Sequence, residues 1–229
     1  MSSHRWNCLL LNRLESNASY KKGLQKGGRF VNLKVALLVG VVAAFASPAL
    51  AQQWYVGLYA HDVTFVGNAL GMGAAGREDG VDLHLGLRSK RITALQVLGA
   101  PQAHAYVSIN SNRTSDFVAM GFNWPITLVG NLYLRPGFGL GYTDGKAGLP
   151  PANVPGLSPD ELARRRTLYF TRIDFGSRML FNPEIALGYR FNDRLATELS
   201  YTHLSNGQIF HHGKNQGLDD AGIRLVYSF

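Results

Sequence analysis

His203 and Ser205 stand two residues apart in the stretch ELSYTHLSNGQIFHHGKNQGLDDAGIRLVYSF, residues 198–229, and an Asp-Asp pair follows at 219–220. A serine hydroxyl becomes a nucleophile only when a base removes its proton. An imidazole is the usual base, and a carboxylate on its other nitrogen fixes the tautomer. On an extended strand, residues i and i+2 share a face about 6.5–7 Å apart at Cα, and the next strand runs about 4.8 Å away. The first strand can therefore carry base and nucleophile, and its neighbour can supply the acid.

Side-chain alternation decides which acid. In RLATELSYTHLS, residues 194–205, Leu195, Thr197, Leu199, Tyr201, His203 and Ser205 share one face, and Ala196, Glu198, Ser200, Thr202 and Leu204 the other. Counting back from Phe229, the outward set of the last strand is Tyr227, Leu225, Ile223, Ala221 and Asp219, whereas Asp220 falls with Arg224 on the opposite face. Parity selects Asp219. All three residues then lie on the apolar face near one end of adjacent strands, where a serine would meet a lipid. From spacing and parity alone, an interface role for the same histidine and serine stays open.

The elements that must position them alternate throughout. In EIALGYRF, residues 184–191, Ile185, Leu187, Tyr189 and Phe191 oppose Glu184, Ala186, Gly188 and Arg190, and LYLRPGFGLGY, 132–142, repeats the pattern. Aromatic residues at both ends of an outer face mark the girdles of an outer-membrane barrel rather than a soluble sandwich. Such segments recur at about 53–66, 80–88, 103–112, 115–125, 130–143, 174–191, 194–205 and 218–229, predicting an all-β, eight-stranded antiparallel transmembrane barrel over 52–229. Both termini then face the periplasm and the long Gly/Pro-rich connections 67–79 and 144–172 lie outside the cell. The interior of so narrow a barrel is filled by side chains, here a charged network expected to include Arg135, Arg178, Glu184, Arg190 and Glu198.

Residues 1–51 read differently. Five basic residues (Lys21, Lys22, Lys26, Arg29 and Lys34) precede the apolar run VALLVGVVAAFASPALA, which ends in Ala49-Leu50-Ala51. That is a secretory signal with its cleavage site after Ala51. Of the 23 Lys and Arg and the 15 Asp and Glu, seven and one lie in this leader, so the remainder carries a formal +2. The basic pI is a leader property, and nucleic-acid binding loses its support. The single cysteine, Cys8, also lies in the leader, which leaves the exported part without disulfide or thiol nucleophile. His211 and His212 with His203 make no metal shell, because adjacent histidines on a strand diverge and no ligand pair completes the set.

The stretches YTHLSNG and NQGLD resemble the C-terminal motif of the PagL-type lipid A 3-O-deacylases, and the preceding FNPEIALGYRFNDRLATELSYTHLSN is similar too; the likeness covers about the last 55 residues. The resemblance implies a barrel of the bacterial outer membrane that hydrolyses the acyl ester at position 3 of lipid A in lipopolysaccharide of the outer leaflet. By that similarity Ser205 is the nucleophile, His203 the general base and acid, and Asp219 the orienting acid. Asn206, Gly207 and Asn215 match the positions near the oxyanion. No metal or organic cofactor is required, the partner is the membrane lipid, and a homo-oligomer is compatible with it. Two departures stand out: the family acid is often Glu, one methylene longer than Asp219, and the 206–218 loop is longer by a couple of residues. The rival readings are a non-enzymatic adhesin-like barrel and a phospholipase or acyltransferase on the same scaffold.

Overall fold

The computed structural model describes residues 51–71 and 75–229. The signal-peptide reading falls outside the described residues except for Ala51, which opens the first strand. Nine strands follow in chain order: β1 (Ala51–Ala60), β2 (Val81–Arg91), β3 (Gln102–Asn110), β4 (Phe117–Asn123), β5 (Ile126–Val129), β6 (Leu132–Thr143), β7 (Met179–Arg190), β8 (Leu195–Leu204) and β9 (Leu218–Ser228). All pairing is antiparallel and between sequence neighbours, except that β4 pairs with β6 rather than with β5, and β1 pairs with β9 to close the sheet. β4 and β5 both lie along β6 and form one barrel strand, so the closed barrel has eight. The break between them is Trp124-Pro125, since Pro125 has no N–H to give the ladder. Trp124 spans the gap by donating its backbone N–H to Pro136 O at 2.9 Å.

Closure gives every strand but the short β5 a partner on both sides, which satisfies backbone groups without water, the condition for crossing hydrocarbon. The alternation expected from sequence then appears as burial. In β8 the residues 196, 198, 200, 202 and 204 are all buried, whereas Leu199 and its outward neighbours face out. Outward aromatics cluster at the end where the termini meet: Trp54 lies against Tyr227 at 5.6 Å, and Tyr189 against Phe191 at 5.5 Å. No helix among the described residues is long and apolar enough to span a membrane.

Several ends differ from the sequence reading for local reasons. β1 stops at Ala60 because Asp62 adopts φ +52°, after which the chain turns into a short helix α1 (Phe65–Leu70). β7 begins at Met179 rather than near 174. The residues before it fold back, burying Ile173 and Phe175 completely, with Gly176 at φ +69° making the turn. The long β6–β7 connection contains a helix, α2 (Pro159–Thr171), capped by Ser158, whose side chain accepts from Glu161 N.

The lumen is plugged. Glu198 holds three guanidinium groups: Arg88 at 2.7 Å, Arg135 at 2.9 Å and Arg224 at 3.0 Å, and it also accepts from Tyr133 Oη at 2.8 Å. Arg224 reaches on to Glu184 at 3.3 Å and Ser200 at 2.6 Å. The expected network is present in Arg135, Glu184 and Glu198. Arg190 lies over the Tyr133 ring at 4.3 Å, and Arg178, expected in the network, is instead exposed at the loop end. A buried charge stripped of its partners is costly, about 3–5 kcal/mol. Glu198→Ala should therefore destabilise the barrel by that amount, read as a lower urea midpoint for the protein refolded in lipid vesicles.

Candidate active site

β8 and β9 pair from Leu195↔Tyr227 to Leu204↔Leu218 without a bulge, and this register sets His203 directly opposite Asp219. Side chains of such a pair rise from the same face with Cβ atoms about 4.5–5.5 Å apart. His203 Nδ1 and an Asp219 carboxylate oxygen are hydrogen-bonded. Although their parity points outward, His203 is only 7% exposed and Asp219 is fully buried. The chain leaving β1 passes beside them, with Val63 N donating to Asp219 O at 2.8 Å. The second carboxylate oxygen of Asp219 and the hydroxyl of Tyr201 are buried without a hydrogen-bond partner among the described residues.

Ser205 lies one residue past the end of β8, yet it is not on a free loop. It bridges to Phe181 on β7 through Phe181 N→Ser205 O at 2.7 Å and Ser205 N→Phe181 O at 3.2 Å. The Phe181 ring stacks on Phe210 at 4.8 Å and lies 5.8 Å from Phe138, so a cluster of aromatic rings flanks the serine. Gly207 passes under it at φ +62°, where a Cβ would come within 2.8 Å of the Phe181 ring. Glycine is required there both for its backbone angle and for the space.

Asn206, Gly207 and Asn215 converge, with different commitments. Asn206 is fully buried. Its Nδ2 donates to Phe175 O at 2.7 Å and Lys214 O at 2.9 Å, its Oδ1 accepts from Gln208 N at 2.7 Å, and its backbone N–H goes to Asn215 Oδ1 at 2.8 Å. It is the pin that folds the 205–217 loop. The N–H of Gly207 and the amide nitrogen of Asn215 carry no hydrogen bond among the described residues. Of the three residues, these two hold the donors left uncommitted. His211 and His212 are exposed on the same loop, away from any ligand cluster among the described residues.

Sequence reasoning passed over a second group, on the lumen side of the same strands. His61 donor–acceptor contacts reach Asp82 at 2.8 Å and Glu78 at 3.3 Å, and Asp220 lies 3.6 Å away. Burial alone would push the His61 imidazole down, but the hydrogen bonds from Asp82 and Glu78 raise it to about 10. The signal was available in parity, which puts Asp82 and His84 of β2 on the inner face with Asp220.

A family model described as lipid A 3-O-deacylase (PagL) matches residues 100–228. Among solved structures, the outer membrane enzyme PagL is 11% identical with a TM-score of 0.47, covering 77% of this chain and 99% of its own. The N-terminal β-barrel domain of Pseudomonas aeruginosa OprF is 9% identical at 0.42, covering 79% and 99%. Neisserial surface protein A is 8% identical at 0.42, covering 79% and 97%. No curated protein matches the chain in sequence.

Asn206→Ala would orphan the carbonyls of Phe175 and Lys214, at about 1–3 kcal/mol each. The expected outcome is a folded barrel whose 205–217 loop is cut faster in limited proteolysis.

Proposed function

The chain belongs to the PagL family of lipid A 3-O-deacylases, carboxylic ester hydrolases of the bacterial outer membrane, and from that premise we propose that it removes the 3-O-linked acyl chain of lipid A with Ser205, His203 and Asp219. The observation that carries the residue assignment is the cross-strand pair: His203 and Asp219 are register partners and share a hydrogen bond through Nδ1. That bond commits Nδ1 and leaves Nε2 for the serine two residues on.

In this reading His203 Nε2 takes the Ser205 proton as the Oγ attacks the ester carbonyl. Asp219 keeps the imidazole in the required tautomer and stabilises the imidazolium that forms. The Gly207 N–H and the Asn215 amide supply the oxyanion donors. His203 then returns the proton to the departing sugar hydroxyl. A water, activated by the same imidazole, releases the acyl group from Ser205 as a free acid. No step calls for a metal.

The surroundings suit a lipid substrate. The site faces outward at the end of the barrel away from the termini, the end that meets the outer leaflet when both termini face the periplasm. Exposed Ile209, Phe210 and Phe138 add apolar surface near the serine. An acyl chain can lie against this surface while its ester sits over Ser205, so the enzyme need not lift the chain into water.

Mass spectrometry of lipid A from cells expressing the protein should show the loss of one 3-hydroxyacyl group. Ser205→Ala and His203→Ala should abolish that loss with the barrel still inserted, and a Ser205→Ala protein that still deacylates would overturn the mechanism. Asp219→Ala should lower the rate on the order of 10²–10⁴-fold through the mispositioned imidazole. Asn215→Ala should lower it on the order of 10²–10³-fold, the usual loss for one oxyanion donor.

A further inference from the structure

The lumenal cluster at the loop end has a donor set that its neighbours do not fully use. His61 Nδ1 lies 2.8 Å from Asp82 Oδ2 and 3.6 Å from Asp220 Oδ1, and ligand atoms of these three residues all lie within 4.8 Å of one another. On the far side, Asp220 Oδ2 and His84 Nε2 face each other at 3.7 Å. Both atoms are buried and neither has a hydrogen-bond partner among the described residues. A buried carboxylate oxygen without a hydrogen bond, opposite a buried imidazole nitrogen without one, is costly to leave so.

We propose that His61, Asp82, Asp220 and His84 bind one divalent transition-metal ion, of which Zn²⁺ is the type. Tetrahedral Zn²⁺ with bonds of about 2.0–2.1 Å separates its ligand atoms by about 3.3 Å. His61 Nδ1 lies 2.8 Å from Asp82 Oδ2 and 3.6 Å from Asp220 Oδ1, and His84 approaches from the far side, 3.7 Å from the other Asp220 oxygen, where it would close the shell as the fourth ligand. Two imidazoles and two carboxylates fit zinc better than calcium, which takes six to eight oxygens. The surrounding groups have the character of outer-shell support. Glu78 and Thr114 reach His61 Nε2 at 3.3 and 3.4 Å, and Asp82 is oriented by Ser108 at 3.2 Å and Asn110 at 2.7 Å. Two carboxylates balance the ion's charge, which takes the place of the proton on His61 Nδ1.

The place in the fold gives the ion a structural role. His61 follows β1, Asp82 and His84 are on β2, and Asp220 is on β9, so the ion ties three adjacent strands across the β1–β9 seam that closes the barrel. The site is separate from the ester chemistry and does not depend on it.

The test is calorimetric titration of Zn²⁺ into the full barrel, folded in detergent and stripped with a chelator. One ion per chain with a Kd of micromolar or tighter is expected. Asp220→Asn and His84→Gln should each weaken binding at least about tenfold, with heat-modifiable gel migration confirming that each variant is folded. Replacing both His211 and His212 by Ala should leave the affinity unchanged. Absence of a stoichiometric site in the folded wild-type barrel would overturn the proposal whatever the variants do. So would an affinity that follows His211 and His212 instead of Asp220, or a preference for Ca²⁺.

Discussion

Hydrocarbon offers no hydrogen bonds, and every other feature of this protein is arranged around that deficit. A strand in lipid must find all its backbone partners in neighbouring strands, and only a closed sheet leaves none over. Closure through β1 and β9 then removes any freedom of register, because a slip by one residue would turn the whole apolar face of a strand inward. The fixed register is what allows two residues far apart in sequence, His203 and Asp219, to meet as direct cross-strand partners. The contact between His203 and Asp219 is held by ten ladder pairs rather than by a loop.

The same constraint creates the problem inside. Eight strands enclose a volume that side chains must fill, and the alternating face cannot be wholly apolar where it turns inward. The chain meets this with charges that are paired many times over, three arginines on Glu198 and one of them shared with Glu184. Tyrosines fill the space between: Arg88 and Arg224 lie over the Tyr55 ring at 4.4 and 4.9 Å. Such a network is stabilising only while it is complete, since each partner is what makes the others tolerable without water. It also makes the barrel a plug, so its working surface has to be its outside.

What sequence could supply follows from which forces are periodic. The fold class, the strand count, the inward placing of Glu198 and Asp220, and the pairing of His203 with Asp219 rest on alternation, and the structure has each of them; Ser205 lies one residue beyond β8. Strand ends do not follow from alternation. They are set by single residues such as Asp62 at φ +52° and Gly176 at φ +69°, or by a proline that withholds one hydrogen bond. The role of Asn206 was hidden for another reason. Its partners Phe175 and Lys214 come from a different loop and from the far end of its own, and no local pattern marks a side chain that is satisfied at such distances. The lumenal cluster was half legible: parity places Asp82, His84 and Asp220 together, but His61 joins them only because β1 ends where it does.

The shorter acid and the longer loop can be judged on the same footing. Asp219 stands directly opposite His203, where the two Cβ atoms are already close, and the imidazole Nδ1 is two bonds from its own Cβ. A carboxylate on a single methylene spans what remains, as their hydrogen bond shows. A longer acid would have to fold back or approach from a neighbouring position. The 205–217 loop does not disturb this, because β8–β9 pairing runs through Leu204↔Leu218 and the loop lies beyond that pair, where Asn206 gathers it through Lys214 and Asn215. Register, and not loop length, sets the distance between His203 and Asp219. Because Asp219 and Asp220 are consecutive on β9 and point to opposite faces, the backbone that holds the acid of the outer site also carries a ligand of the inner one, and anything that fixes Asp220 in the lumen fixes the strand under His203 as well.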